Sequence, residues 1–177
     1  MEGTLAACEA EMNRVALCNV TPALRRSNYS STGFDMLGIL QQVATRPNPQ
    51  VDLGSVDMSC SFLVTDARLH DHPIVYCSDS FERLTGYSKE EILGRNCRFL
   101  QSPDGNVKPG RIRRHVDNRT VRYLKEKIAI NQEAQGAALH NYRKVGQRFT
   151  NLLTIIPINL DIHKPVYLVG FQADLLS

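Results

Sequence analysis

No run of five or more Lys/Arg residues occurs in the 177 residues, and the formal net charge is only +3. Composition therefore makes no case for direct binding of nucleic acid or of an anionic membrane surface. The five cysteines, Cys8, Cys18, Cys60, Cys77 and Cys97, include no C-x-x-C pair, and no paired histidine ligands accompany them. Their odd number and irregular spacing exclude a recognisable zinc or other metal site and fit a reducing compartment. The N-terminus has no long apolar stretch and carries Glu2, Glu9 and Glu11. That pattern argues against a signal peptide or membrane span and predicts a cytoplasmic and nuclear protein. A G-x-G-x-x-G strand-turn-helix is also missing, and no second acid-base constellation flanks Cys97, so the chain does not read as an enzyme. The length suits one domain with an appendage. Only three residues follow Asp174, which leaves no space for a kinase, DNA-binding or transactivation module, so the expected output is an association.

Three segments can be told apart. Residues 1–33 form a polar, weakly patterned leader with Pro22, Arg25 and Arg26, expected to be flexible until something docks it. Residues 34–59 read as a cap. Phe34, Leu37, Leu40 and Val43 recur at three-residue steps, giving one apolar helical stripe that ends before Pro47 and Pro49. A helix this short is marginal alone and needs a surface to cover. Val51 to Val56 alternates weakly and is expected to add an edge strand.

Residues 60–177 read as the globular core, of class α+β. Ser61–Thr65 and Ile74–Cys77 are short apolar strands around the polar turn Asp66–His72, a hairpin. Ser78 or Asp79 caps a helix carrying Phe81 and Leu84 that stops at Gly86. Ser88 with Glu91 is a capping box for another turn of helix. Asn96–Gln101 opens a new short helix after Gly94. Thr120–Asn131 is amphipathic, with Val121, Leu124 and Ile128 on one side. Three strands follow at 137–142, 149–156 and 166–173, with turns at Val145-Gly146 and 159–165. Two strands, then helices, then three meandering strands predict a five-stranded antiparallel sheet with helices on one face and a ligand-sized opening.

The chemistry concentrates in Gly94-Arg95-Asn96-Cys97-Arg98-Phe99-Leu100-Gln101. A lone cysteine is usually a small buried hydrophobe, but here Asn96 and Gln101 offer amides beside the thiol and Arg98 offers a fixed cation. This octet resembles the flavin-binding motif of LOV domains, the blue-light-sensing branch of the PAS fold. By that resemblance, Cys97 is the thiol that bonds reversibly to carbon 4a of a photoexcited flavin. Asn141 and Asn151 lie ten residues apart on adjacent strands and match the LOV positions that hold the pyrimidine edge. Gln172 matches the glutamine beside ring nitrogen 5. The long linker 102–119, with Lys108, Arg111, Arg113, Arg114 and Arg119, resembles the fungal insertion that admits the adenine end of FAD, so FAD is expected in preference to FMN. Arg98, Arg111, Arg114 and Lys125 are the candidates for its phosphates; a lysine at position 125 keeps charge without the bidentate fork.

Outside the core, the motifs at 46–51, 56–60, 102–105 and 146–149 also resemble fungal short LOV photoreceptors of the Vivid/Envoy type. The resemblance implies a sensory role in photoadaptation: adduct formation protonates nitrogen 5, the Gln172 amide rotates to match, the cap rearranges, and a homodimer forms in light. A mismatched buried amide is worth roughly 1–3 kcal/mol, short of the roughly 5.5 kcal/mol that reverses a 99:1 equilibrium. The responding cap must therefore be marginally held. The implied further partner is a white-collar-type LOV transcription factor whose light response is modulated. An alternative reading is a cysteine-based redox or oxidative-stress sensor on the same flavin-binding scaffold, with Cys77 as its candidate thiol.

Overall fold

The computed structural model describes residues 35–110, 114, 116–158 and 167–176. The leader, Phe34, Arg111 and the turn expected at 159–165 lie outside the described residues.

Helix α1, Met36–Ala44, is capped by Asp35, whose carboxylate accepts the Gly38 N–H at 2.9 Å. Its buried residues Met36, Ile39, Leu40 and Val43 follow the one-sided spacing of an amphipathic helix. Four such side chains stabilise by about 1.5–3 kcal/mol each. Ordering the nine residues of the helix costs about 1–2 kcal/mol apiece in backbone entropy. The apolar seat alone falls short of that cost by a few kcal/mol, so the helix needs further ties to stay docked.

Residues 51–56, expected as an edge strand, do not form one. Gly54 takes a left-handed φ of 63° and donates its N–H to the Asp52 carboxylate, while the N–H of Val51 is already bound by Glu133. The segment instead lays Val51, Leu53 and Val56 against the sheet.

The core opens with strand β1, Phe62–Asp66, and strand β2, Ile74–Cys77, followed by helix α2, Asp79–Thr85, and helix α3, Lys89–Ile92. A 3-10 helix, Cys97–Gln101, precedes helix α4, Asn118–Ala129. Strands β3, Ala134–Tyr142, β4, Arg148–Ile158, and β5, Tyr167–Asp174, complete the order. The five strands pair antiparallel in the order β2-β1-β5-β4-β3, as the meander predicts. Ser78 is the cap of α2, and Gly86 closes that helix at φ 77°. The Ser88–Glu91 capping box is present. Gly136 in β3 lets α4 come close: a Cβ there would sit 3.3 Å from Leu124 and Thr120 atoms.

Because successive strand residues point to opposite faces, the sheet has two distinct surfaces. Phe62, Val64, Ile156, Ile158, Val169 and Phe171 form the outer one and pack with Met36, Ile39, Leu40 and Val43 of α1. Leu63, Leu139, Leu153, Ile155, Leu168 and Gln172 line the inner one, beneath the 3-10 helix and α4.

Ser78 ties the two ends of this arrangement together. Its buried hydroxyl accepts the N–H of Phe62 at 3.0 Å and of Phe81 at 3.2 Å, and donates to the Cys60 carbonyl at 2.9 Å. Replacing Ser78 by Ala leaves these buried groups unmatched and removes a helix cap. Urea unfolding is expected to show a loss of about 2–3 kcal/mol; a change below about 0.5 kcal/mol would contradict this account.

Candidate functional site

The inner face encloses a cavity of about 460 Å³, within the usual range for a small-molecule or cofactor site. Its walls are mostly apolar, from Leu63, Val121, Leu124, Ile128, Leu139, Leu153, Ile155 and Leu168. Into them project the polar residues that the sequence singles out: Asn96, Cys97, Arg98, Gln101, Lys125, Asn141, Asn151 and Gln172 all line this one space. Arg114 is exposed and is not part of the lining, whereas Pro109 and Gly110 from the same linker are. Arg111 falls outside the described residues.

Cys97 is half-buried at the first residue of the 3-10 helix. Asn96 caps that helix: its Oδ1 accepts the Arg98 N–H at 3.0 Å, and its Nδ2 donates to the Asp71 carbonyl. Both ends of this amide are thus engaged in holding the thiol-bearing turn. The neighbouring Arg95 stacks 4.3 Å over the Phe99 ring and donates to the Gly105 carbonyl at 2.7 Å, fixing the start of the long linker.

Asn141 and Asn151 meet as their spacing predicts, with Asn151 Nδ2 donating to Asn141 Oδ1 at 2.8 Å. Asn141 in turn donates to the His140 carbonyl at 2.9 Å. Asn141, Asn151 and Gln172 are only 2%, 1% and 3% exposed. Yet Asn151 Oδ1, Gln172 Oε1 and Gln101 Oε1 are buried without a hydrogen-bond partner. Buried polar atoms are normally paired. Three orphaned amide oxygens around one apolar-walled cavity call for a ligand that brings its own donors, and a flavin, with one ring N–H and a hydroxyl-bearing side chain, fits that demand.

The cation end differs from the simple phosphate assignment. The Arg98 guanidinium forks onto the Asp71 carboxylate, holding that carboxyl below the usual aspartate range chiefly through the side-chain hydrogen bond. Arg98 Nε remains buried and unpartnered, so one edge is still available. Lys125 stands exposed at the rim. Asp71 and His72, both cavity-lining and both at positive φ, escaped the sequence reading because their turn shows only a polar, pre-proline pattern.

Cys77, the redox candidate, is 1% exposed and packs among Leu63, Ile74, Phe81 and Ile92. Burial pushes its thiol up to about 11. A reactive cysteine needs a lowered pKa and access, and Cys77 has the reverse of both.

A family model described as a PAS domain matches residues 59–175. The White collar 1 protein of Neurospora crassa is 56% identical over 152 residues, 86% of this chain and 13% of that protein. The blue light receptor lreA of Aspergillus flavus is 51% identical over 151 residues, 85% of this chain and 18% of that protein. This chain therefore spans less than a fifth of either relative. The solved light-state dimer of the fungal blue-light photoreceptor Vivid is 48% identical, with a TM-score of 0.78, covering 84% of this chain and all of that one.

The raised Cys77 thiol has a consequence for stability. The folded state keeps its proton where the unfolded chain, with an ordinary thiol, loses it, so this contribution is complete below the ordinary value of 9.0 and disappears as pH rises toward about 11. Wild type should lose stability over that interval more steeply than Cys77→Ala. Equal slopes in pH-dependent urea melts would remove the desolvation account.

Proposed function

Because this chain belongs to the PAS-domain family, and within it to the fungal LOV proteins of the Vivid type, we propose that it is a blue-light photoreceptor working through a flavin and Cys97. The observation that carries this reading is the convergence of one thiol and three orphaned, buried amide oxygens on a single cavity. A bound flavin supplies absorption of blue light and a ring carbon that accepts sulfur on excitation.

The residues divide the remaining work. Cys97 supplies the sulfur and releases it again in darkness, so the switch resets without a second reactant. Asn141 and Asn151, locked to each other, read the pyrimidine edge, with Asn151 Oδ1 as acceptor; Gln101 steadies the ring end of the site, and Asn96 holds the turn that aims Cys97. The apolar walls exclude water from the thiol. Arg98, through its remaining edge, and Lys125 hold phosphate, assisted by Arg111 of the linker. The length of the 102–119 linker and its concentration of cations favour FAD over FMN, since a single terminal phosphate needs neither.

Gln172 carries the signal. Its amide has a donor on one side and an acceptor on the other, so rotation about the last bond answers a change in ring protonation. The backbone then provides a short route outward. The Gln172 N–H is bonded to the Ser61 carbonyl at 2.9 Å, and its neighbour Phe171 lies on the opposite face, in the cluster that seats α1. A shift of β5 against β1 therefore disturbs the cap directly. Release of the cap exposes apolar surface for association with a second copy, consistent with the light-state dimer solved for Vivid. The 56% identity with White collar 1 supports a second association, with a white-collar-type LOV transcription factor in the cytoplasm or nucleus, by which light-responsive transcription is modulated.

Purified protein should be yellow, should release FAD on denaturation, and should bleach in blue light and recover in darkness; Cys97→Ala should retain the colour and lose the bleach. A Cys97→Ala protein that still bleaches and recovers would refute the thiol assignment. Gln172→Leu should still bleach, while its light-driven association weakens by about tenfold or more, the scale of one mismatched buried hydrogen bond. Undiminished association in that variant would break the relay.

A further inference from the structure

Arg46 and Glu133 lie outside the flavin site, 87 residues apart in the chain. Their side chains are only 13% and 11% exposed. Glu133 Oε1 accepts from Arg46 Nε at 2.6 Å. Its other oxygen accepts the backbone N–H groups of Gln50 and Val51 at 2.9 and 2.8 Å. Arg46 also donates through its two terminal nitrogens to the carbonyls of Val43, in the last turn of α1, and of Val51. One carboxylate thereby gathers the end of the cap helix and both sides of the Pro-Asn-Pro bend. Among the described residues, the hydrogen bonds that tie residues 36–56 to the sheet domain converge on this group.

Glu133 is also placed to respond to the cavity. It precedes the first residue of β3 and follows α4 by a short turn, and α4 contributes Leu124, Lys125, Ile128 and Ala129 to the cavity wall. The turn itself is pinned: Asn131 holds a left-handed φ of 55°, and Gln132 donates its backbone N–H to the Lys127 carbonyl at 2.9 Å. Displacement of the end of α4 is therefore passed to the carboxylate with little slack.

We propose that Glu133 is the latch of the N-terminal cap: its carboxylate holds α1 and the Gln50–Val51 bend in the dark seat, and light-driven release requires it to let them go. The negative charge is essential, because three donors, one of them a half-buried guanidinium, point at two oxygens. An amide of the same shape has one acceptor oxygen and leaves the cation uncompensated. Glu133 is thus a positioning residue for the light response, acting on the cap and not on the flavin. This inference rests on the reading of light-driven cap release given above.

The test uses the full-length, flavin-loaded protein in darkness. Glu133→Gln should leave the flavin absorbance and the blue-light bleach unchanged, raise hydrogen exchange of residues 36–51 by about tenfold or more, and raise dark association by a similar factor. Glu133→Asp, which keeps the charge on a shorter arm, should fall between wild type and Glu133→Gln. Should Glu133→Gln fail to hold flavin, Arg46→Gln is the second variant and should show the same exchange increase. Dark exchange of 36–51 indistinguishable from wild type in the folded variants would overturn the latch. A variant whose cap exchanges freely yet stays monomeric, beside a wild type that also stays monomeric in light, would uphold the latch and defeat the association reading instead.

Discussion

The constraint on which the rest depends is the two-residue period of one central sheet. Gln172 and Phe171 are neighbours on β5, but the first faces the cavity and the second faces the cap helix. The same division runs through β4, where Ile155 lines the cavity and Ile156 supports the cap, and through β1 with Leu63 and Phe62. No separate transmission element is needed between the two surfaces, because each strand belongs to both. A one-residue slip in register would exchange the two sets and destroy the cavity and the cap seat together. The Ser78 hydroxyl, bonded to Phe62 and Cys60, helps fix that register at the edge where the cap enters.

The cavity is built at a cost in folding stability. Four polar atoms on its wall, Arg98 Nε, Gln101 Oε1, Asn151 Oδ1 and Gln172 Oε1, are buried without partners, and each such group costs about 1–3 kcal/mol. A sheet face lined with Leu or Val at these positions would be more stable and would bind nothing polar. The amides are therefore explained by a ligand that completes their bonding and not by packing of the protein alone. Asn96 is the exception: its amide is spent on the 3-10 helix and the Asp71 turn, so its contribution is to aim Cys97.

Most of this arrangement was legible in the chain because it is local or periodic. The Ser88–Glu91 capping box, the stop at Gly86 and the strand order all follow from spacing that short-range sterics and hydrogen bonding enforce. The helix of the cap was legible too, but its buried face is Met36, Ile39, Leu40 and Val43, and Leu37 of the expected stripe turns off it. Asn141 and Asn151 were legible as a pair because a hairpin brings residues ten apart onto one surface. What was not legible depends on contacts across long separations. The Asp71 carboxylate captures Arg98 from 27 residues away, and nothing in a polar turn announces that. The weak alternation of Val51 to Val56 suggested a strand, yet the donors at 50 and 51 were already claimed by Glu133, and a strand without its ladder does not form. Cys77, the redox candidate, ends an apolar strand and is enclosed by Ile74, Phe81 and Ile92, so its burial follows from its place in the strand.

The span of the Glu133 contacts also orders events during synthesis. The cap leaves the ribosome before the sheet, and its polar anchor lies 82 to 87 residues downstream. Closing a loop of that size against so few bonds is entropically unfavourable until the sheet exists. The cap helix must therefore wait, undocked, until β4 and β5 have been made as well, because its apolar seat is shared by β1, β4 and β5, and its stripe stays open to chaperones through that interval.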